Sequence, residues 1–357
     1  MALIQDGVYD LSSDFPTVSD LLEHPAPGKA VQKCKVNFIG TVEEILANTG
    51  PHCDRSKPYF LSPVDLQVIK AAGVTFASSL IERVIEEKAR GDAAKADNLR
   101  AMVRETIGSS LCDIKPGSEQ AAHLKEILLG QDLWSQYLEV GIGPDAEIFT
   151  KAPVLSTVGS GEHIGVHPSS LWNNPEPEVV VIVNSRAEIV GATLGNDVNL
   201  RDVEGRSALL LGKAKDNNAS CSIGPFIRLF DEHFTLDTVR SCTVELEVRG
   251  TDGFVLEGKS FMNEISRAPE DLVSQAINPH HQYPDGLALF LGTLFAPTKD
   301  RDFKGAGFTH RLGDQVVISS PQLGALRNTV THTHLAKPWN FGITALLRNL
   351  SNRGIIK

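Results

Sequence analysis

Hydrophobic and polar positions divide the chain into three textures. From about residue 146 onward, short runs rich in β-branched residues alternate with turn signals: EVVVIVN, AEIVGATLG, CTVELEVRG, GFVLEGKS and DQVVISS. Such runs predict strands, and NSRAEIVG and RGTDGFVLEG, the second with an Asp-Gly step, predict hairpin connections. The runs follow one another too closely for regular βαβ units. A mixed or antiparallel β-roll or barrel is therefore expected, with short helices at VEGRSALLLGKA and APEDLVSQAI. Upstream, SSLIERVIEEKARGDAAKADNLRAMVRETIG places apolar residues at helical spacing, with Glu, Lys and Arg on the other face. In SEQAAHLKEILLG, Ser118 stands as the N-cap of a further helix. The first stretch is mixed, with turn signals at HPAPGKA and NTGPHCDRSKP and a strand candidate in CKVNFIGTV. The expected fold class is α+β and mostly β. A small β-rich N-terminal domain takes residues 1–68, and the main domain takes 69–357, with a helical insertion at about 74–140 and a β-roll core at about 146–335.

Composition narrows the class of partner more than the fold. With 357 residues, 41% of them apolar and 22% charged, the chain has the make-up of one large globular domain or two ordinary ones. A net charge of −10 argues against a nucleic-acid or anionic-membrane surface, which needs a basic excess. No apolar run reaches the length of a membrane-spanning helix, and the N-terminus lacks a basic segment followed by an apolar one. Cys34, Cys53, Cys112, Cys221 and Cys242 form no C-x-x-C pair, so reduced thiols, no zinc site and a cytoplasmic location are expected.

The candidate chemistry lies in NNPEPEVVVIVN, residues 173–184, where two glutamates stand directly before the most apolar run in the chain. In a strand, residues two apart point to the same side, so Glu176 and Glu178 project together. Asp197 follows at the end of another strand candidate, in GATLGNDVN. Three carboxylates at neighbouring strand ends make a hard oxygen site suited to Mg²⁺, Mn²⁺ or Ca²⁺ rather than zinc. Burying them without a cation would be prohibitive.

The surrounding motifs, over roughly residues 148–330, resemble the fumarylacetoacetate hydrolase family. In that family Glu-x-Glu precedes an apolar strand, Asn-Asp-x-x-x-Arg-Asp follows, and then come a lysine, a cysteine and Gly-Pro. Here these read Glu176-Pro177-Glu178, GNDVNLRD (195–202) and AKDNNASCSIGP (214–225), with GDQVVISSP (313–321) carrying Ser320 where the family has Thr. The resemblance implies the family's mixed β-roll, metal ligands at Glu176, Glu178 and Asp197, and a catalytic lysine. Lys213 and Lys215 compete for that role, and Lys215 has the family's six-residue spacing to its cysteine, Cys221. A lysine beside a divalent cation is expected to have a lowered pKa, and so to act as a base or hold an enolate oxygen. Arg201 and Asp202 are expected to form a structural ion pair.

The reaction is decided elsewhere. Family hydrolases carry Asn-Tyr-x-x-His-x-x-Glu on a short lid, where His and Glu activate water. The corresponding stretch here is AGVTFASSLIERV, with Ser79 on the histidine position and Glu82 on the glutamate. Serine cannot serve as a base near neutral pH. The resemblance is thus to the 2-keto-3-deoxy sugar-acid dehydratase branch of the family. That branch implies Mg²⁺ (Mn²⁺ as an alternative), Lys215 and Glu82 as catalytic groups, and Ser78, Ser79, Lys151 and Ser320 against the substrate. A pentonate would yield 2,5-dioxopentanoate. The alternatives are a metal-dependent C–C hydrolase of an acylpyruvate and a catalytically silent metal-binding relative. A homodimer or homotetramer acting on a small 2-keto acid is implied, with no nucleic acid and no membrane as partner. The pairs His280/His281 and His332/His334 lack a third ligand at metal spacing and read as loop histidines.

Overall fold

The structure, a computed structural model, describes residues 1–34, 36–90, 92, 95, 114–130, 134–293, 297–303 and 307–356. The far part of the predicted helical stretch, with Cys112, lies outside these residues. Strands are numbered along the chain. A three-stranded antiparallel sheet holds β1 (Ala2–Ile4), β2 (Gly7–Asp10) and β3 (Asn37–Thr41), in that order. Three short helices share this region, so it is less purely β than its sequence suggests.

Two larger sheets form the body. The first holds β4 (Val68–Ala72), β5 (Ile148–Ala152), β8 (Pro177–Val183), β9 (Ile189–Asp197), β11 (Cys221–Leu229) and β14 (Leu287–Phe290). Its order is β11-β9-β8-β14-β4-β5, with only β14 and β4 parallel. The second holds β6 (His163–Val166), β12 (Thr243–Arg249), β13 (Val255–Phe261), β15 (Gln315–Ser320) and β16 (Gly324–His332), in the order β13-β12-β15-β16-β6, with β16 and β6 parallel. A two-residue ladder joins β7 (Asn173–Asn174) to β10 (Asn199–Leu200). The roll is the form adopted, since among the described residues neither sheet closes into a barrel. Both predicted hairpins are present, as the β8–β9 and β12–β13 connections.

The two strand textures have a packing cause. Val179, Val181 and Val183 of β8 face Leu246 and Val248 of the second sheet within the main core. Val180 and Ile182 face the other way, onto Ile69, Phe290 and Leu22. Buried on both faces, β8 needs an unbroken apolar run. By contrast β12 alternates, with Val244, Leu246 and Val248 buried and Glu245 turned outward, because only one of its faces meets the core.

Helices Ala77–Ala89, Glu119–Gly130 and Gln136–Ile142 form a separate layer around Leu80, Ile81, Val84, Ile85, Tyr137 and Leu138. As expected, Ser118 caps the second, its Oγ accepting from the Ala121 N–H at 3.2 Å. No helix among the described residues is long and apolar enough to cross a membrane.

Gly195 sets how closely β9 approaches its neighbours. A Cβ there would lie 2.2 Å from Cε1 of Phe290 and 2.6 Å from Cγ2 of Val180. Gly195→Ala should lower unfolding stability by about 1–3 kcal/mol through overpacking, read as a reduced denaturation midpoint. The cost should shrink in a Phe290→Leu background, and an unchanged cost would clear the ring of blame.

Candidate active site

The strand register brings the three carboxylates together. Glu178 lies opposite Gly195 and Pro177 opposite Asn196 in the β8–β9 ladder. One step further out, the Asp197 N–H donates to the Glu176 carbonyl at 3.0 Å. The Asn196 side chain accepts from the Glu176 N–H at 3.1 Å and fixes that residue before the strand begins. One carboxylate oxygen from each of Glu176, Glu178 and Asp197 lies within 4.8 Å of the others, and all three residues are buried. An all-oxygen set of this kind fits one hard divalent cation. Glu178 is oriented by the Gly292 N–H, 2.7 Å from Oε2, and the Thr293 hydroxyl, 3.2 Å from Oε1. Position 292 must be glycine, because its φ is +102° and a Cβ would lie 1.9 Å from Oγ1 of Thr75.

Three cationic side chains converge on the same carboxylates. Lys215 Nζ donates to Asp197 Oδ2 at 3.0 Å and to Glu176 Oε2. Lys151 Nζ lies 2.8 Å from Asp197 Oδ1 and also donates to the carbonyls of Val198 and Lys215. Arg83 bridges Glu176 and Glu204, the latter at 3.1 Å. The lysine spacing has a structural reason. Cys221 pairs with Asp197 in the β9–β11 ladder, and the Ser220 hydroxyl donates to the Lys215 carbonyl at 2.8 Å. The intervening turn thus folds Lys215 back over the aspartate, while Lys213 is exposed.

This crowding shifts the titrating groups in different directions. Burial, and then the charges of Asp197 and Glu176, push the Glu178 carboxyl well above the carboxylate range. Burial opposes ionisation of Glu176 too, yet the Lys215 ammonium and the Arg83 guanidinium hold it down at about 2. The lowering expected of Lys215 belongs to the cation-bound site; with the carboxylates alone the balance runs the other way. Burial favours the neutral amine, but Asp197 and Glu176 override it and keep Lys215 protonated.

A cavity opens onto this cluster, lined among others by Arg83, Glu147, Glu204, Lys215 and Thr293. Burial, then the nearby Glu204 carboxylate, raises Glu147 to about 7. Glu147 was not legible in the sequence, because a lone glutamate ahead of a strand has no spacing signature. It is held by the Gly73 N–H, which donates to its carbonyl at 3.0 Å. Arg83 and Glu204 were missed because each looks like one more charge on a helix face.

Other expected site residues fall elsewhere. Glu82 does not line the cavity; it is buried, with Oε2 3.6 Å from Nη2 of Arg201. The expected Arg201–Asp202 pair is not formed. Arg201 donates to the Pro297 carbonyl and stacks on Trp172, whereas Asp202 accepts from the Ser170 hydroxyl and the Leu171 N–H. Neighbouring residues on a short helix point in different directions, so each finds its own partner. Lys151 is fully buried behind Asp197 rather than in the cavity wall. Ser320 ends β15 and donates to Gln322 at 3.0 Å, also away from the cavity lining. Ser78 and Ser79 open helix Ala77–Ala89, but their side chains lie outside the described residues. Neither histidine pair lines the cavity; His332 and His334 stack on each other.

Comparison with known proteins gives concordant matches. The model of the fumarylacetoacetate (FAA) hydrolase C-terminal domain matches residues 121–331. A probable 2-keto-3-deoxyxylonate dehydratase of Haloferax volcanii is 34% identical over 200 residues, 55% of this chain and 63% of that protein. A 2-dehydro-3-deoxy-D-arabinonate dehydratase of Saccharolobus solfataricus is 34% identical over 158 residues, 44% of this chain and 52% of that protein. The alignments thus span about half to just under two thirds of those relatives. The solved structure of 2-keto-3-deoxy-D-arabinonate dehydratase complexed with magnesium and 2,5-dioxopentanoate shares the fold. It has a TM-score of 0.65 and 21% identity, covering 93% of this chain and 94% of that one.

Because Glu178 holds its proton tightly, a cation that binds the three carboxylates must displace that proton. Mg²⁺ affinity should therefore rise with pH, by up to about tenfold per unit for one proton released. Calorimetry in buffers of different ionisation enthalpy would read the released proton, and a pH-independent affinity would remove it. Glu178→Gln should weaken Mg²⁺ by more than the roughly 10–100-fold that loss of a ligand's supporting partner costs.

Proposed function

The chain belongs to the fumarylacetoacetate hydrolase family, and from that premise we propose that it is a Mg²⁺-dependent hydro-lyase that dehydrates a 2-keto-3-deoxypentonate to 2,5-dioxopentanoate. The observation that carries this reading is Glu147. It is a carboxyl raised to about 7 by burial, and it shares one cavity with an all-oxygen cation site and a charged lysine, with no histidine among the described lining residues. A carboxyl poised near neutrality can give and take a proton at one site. Among the described residues, none that lines the cavity offers the histidine base that would activate water for C–C hydrolysis. The activities by which the two relatives are named agree with this reading.

Glu176, Glu178 and Asp197 would hold the cation, which draws electron density from the C2 carbonyl and acidifies the C3 hydrogens. Glu147 takes a proton from C3. Lys215, kept as an ammonium, stabilises the negative charge that develops on the C2 oxygen. Glu147 then returns the proton to the departing C4 hydroxyl, which leaves as water with the C–O bonding pair. The resulting C3–C4 double bond shifts as a proton leaves C5 and one is added to C3, and the enol formed at C4–C5 becomes the aldehyde. Glu82, seated on Arg201, acts in this reading as an anchor for its helix rather than as the base. Lys151 holds Asp197 in place.

The proposal extends to a homodimer or homotetramer, supported by the exposed apolar side chains Trp339, Phe341, Ile343 and Leu347. It extends also to a cytoplasmic location, supported by the free thiols of Cys34, Cys53, Cys221 and Cys242. The division at residues 1–68 and 69–357 remains part of it, supported by the separate N-terminal sheet.

Incubation with a 2-keto-3-deoxypentonate and Mg²⁺ should release an aldehyde product and no pyruvate, and EDTA should abolish turnover. Pyruvate from an acylpyruvate would instead favour the hydrolase. Glu147→Gln should lower kcat by about 10²–10⁴-fold while Mg²⁺ still binds. Since the base form must accept the C3 proton, kcat/KM should rise with pH through about 7. That limb should vanish in the variant.

A further inference from the structure

Two consecutive residues of helix Ala77–Ala89 make crossed ion pairs with the short helix Arg201–Glu204. Glu82 lies 3.6 Å from Arg201, and Arg83 lies 3.1 Å from Glu204. All four residues are buried. Buried ion pairs are at best a weak source of stability, and well-packed apolar residues commonly do as well. Two of them side by side at a cavity wall therefore call for a reason beyond stability. Only the second pair, Arg83 with Glu204, faces the cavity; the first is withdrawn behind it.

The composition of the cavity divides by chemistry. Glu176, Asp197, Lys215 and Thr293 are, on the dehydratase reading, assigned to the cation and the 2-keto acid end. What remains for the rest of the substrate is Arg83, Glu204 and Glu147, with Phe149 and the backbone of residues 72–74. A guanidinium and a carboxylate held together present donors and an acceptor in fixed directions. That is the complement of adjacent hydroxyls, each of which donates and accepts. Arg83 also reaches Glu176, which places its donors between the cation site and Glu204.

We propose that the Arg83–Glu204 pair is the specificity-determining element for the hydroxylated end of the substrate, the guanidinium donating to and the carboxylate accepting from the C4 and C5 hydroxyls. The Glu82–Arg201 pair holds the two helices in the register this needs. This rests on the dehydratase reading. It adds that the same cavity discriminates hydroxylated from plain 2-keto acids, because a buried pair left unmatched by a substrate lacking a hydroxyl costs binding.

Glu204 meets Glu176 through Arg83, so Glu204→Gln alters the pair while all three cation ligands stay in place. The test compares 2-keto-3-deoxypentonate with 4-hydroxy-2-oxopentanoate, which lacks the C5 hydroxyl, alongside calorimetric binding of Mg²⁺ and of pyruvate. The wild type should prefer the pentonate. Glu204→Gln should narrow that preference by about tenfold or more, mainly through the KM for the pentonate, and leave Mg²⁺ and pyruvate affinities within about twofold. Arg83→Lys, which keeps the charge but loses the planar fork, should move the ratio the same way and serves if Glu204→Gln does not fold. An unchanged ratio overturns the proposal. So does a parallel loss of Mg²⁺, pyruvate and pentonate binding, which marks a purely structural role. A wild type that turns over neither 2-keto acid with Mg²⁺ refutes the dehydratase reading itself, and with it the proposal.

Discussion

Mutual repulsion among three buried carboxylates is the constraint around which this protein is arranged. Glu176, Glu178 and Asp197 are removed from water, and one oxygen of each lies within 4.8 Å of the others. Charges in that position must be compensated or protonated, and the structure uses both solutions. Lys151, Lys215 and Arg83 neutralise Asp197 and Glu176, while burial and the neighbouring charges push Glu178 toward its protonated form against the opposing pull of the Gly292 N–H. The helix that brings in Arg83, the turn that returns Lys215 and the loop that offers Gly292 are each positioned by this requirement.

The scaffold meets the requirement by placing the carboxylates on and beside strands that are buried along most or all of their length. β8 is buried on both faces, and its neighbour β9 can lie close because Gly195 has no side chain. A ladder with that little freedom fixes Glu178 and Asp197 through the backbone, so the side chains need few rotamers frozen by their own contacts. The proposed acid–base group comes from a different place. Glu147 precedes β5, at the far edge of the same sheet, and lines the cavity. In the proposed mechanism, binding and proton transfer are thus assigned to separate strands of one sheet.

What could be read from the sequence was whatever depends on local spacing. The unbroken run of β8, the alternation of β12, both hairpins, the Ser118 cap and the same-side projection of Glu176 and Glu178 are all consequences of residues a few positions apart. The six-residue step from Lys215 to Cys221 is of the same kind, since it is the length of one turn closing on a ladder. What escaped was pairing across the fold. Arg201 and Asp202 look like partners because they are adjacent, yet Arg201 meets a helix more than a hundred residues away and Asp202 caps a loop. Glu82 and Glu147 could not be ranked as acid–base groups from spacing, because their difference is one of surroundings: a guanidinium for the first, burial beside another carboxylate for the second.

The crossed pairs between the two helices also shape how the chain can vary. Each of Glu82, Arg83, Arg201 and Glu204 balances a buried opposite charge, and the order of signs on one helix is matched to that on the other. A single replacement at any of them strands a charge away from water, which costs about 3–5 kcal/mol. Yet exchanging both members of one pair keeps the sum of charges intact. These positions are therefore expected to drift in concert or not at all, and in a set of diverged sequences they would carry the mark of joint inheritance where the carboxylates of the cation site would show plain invariance.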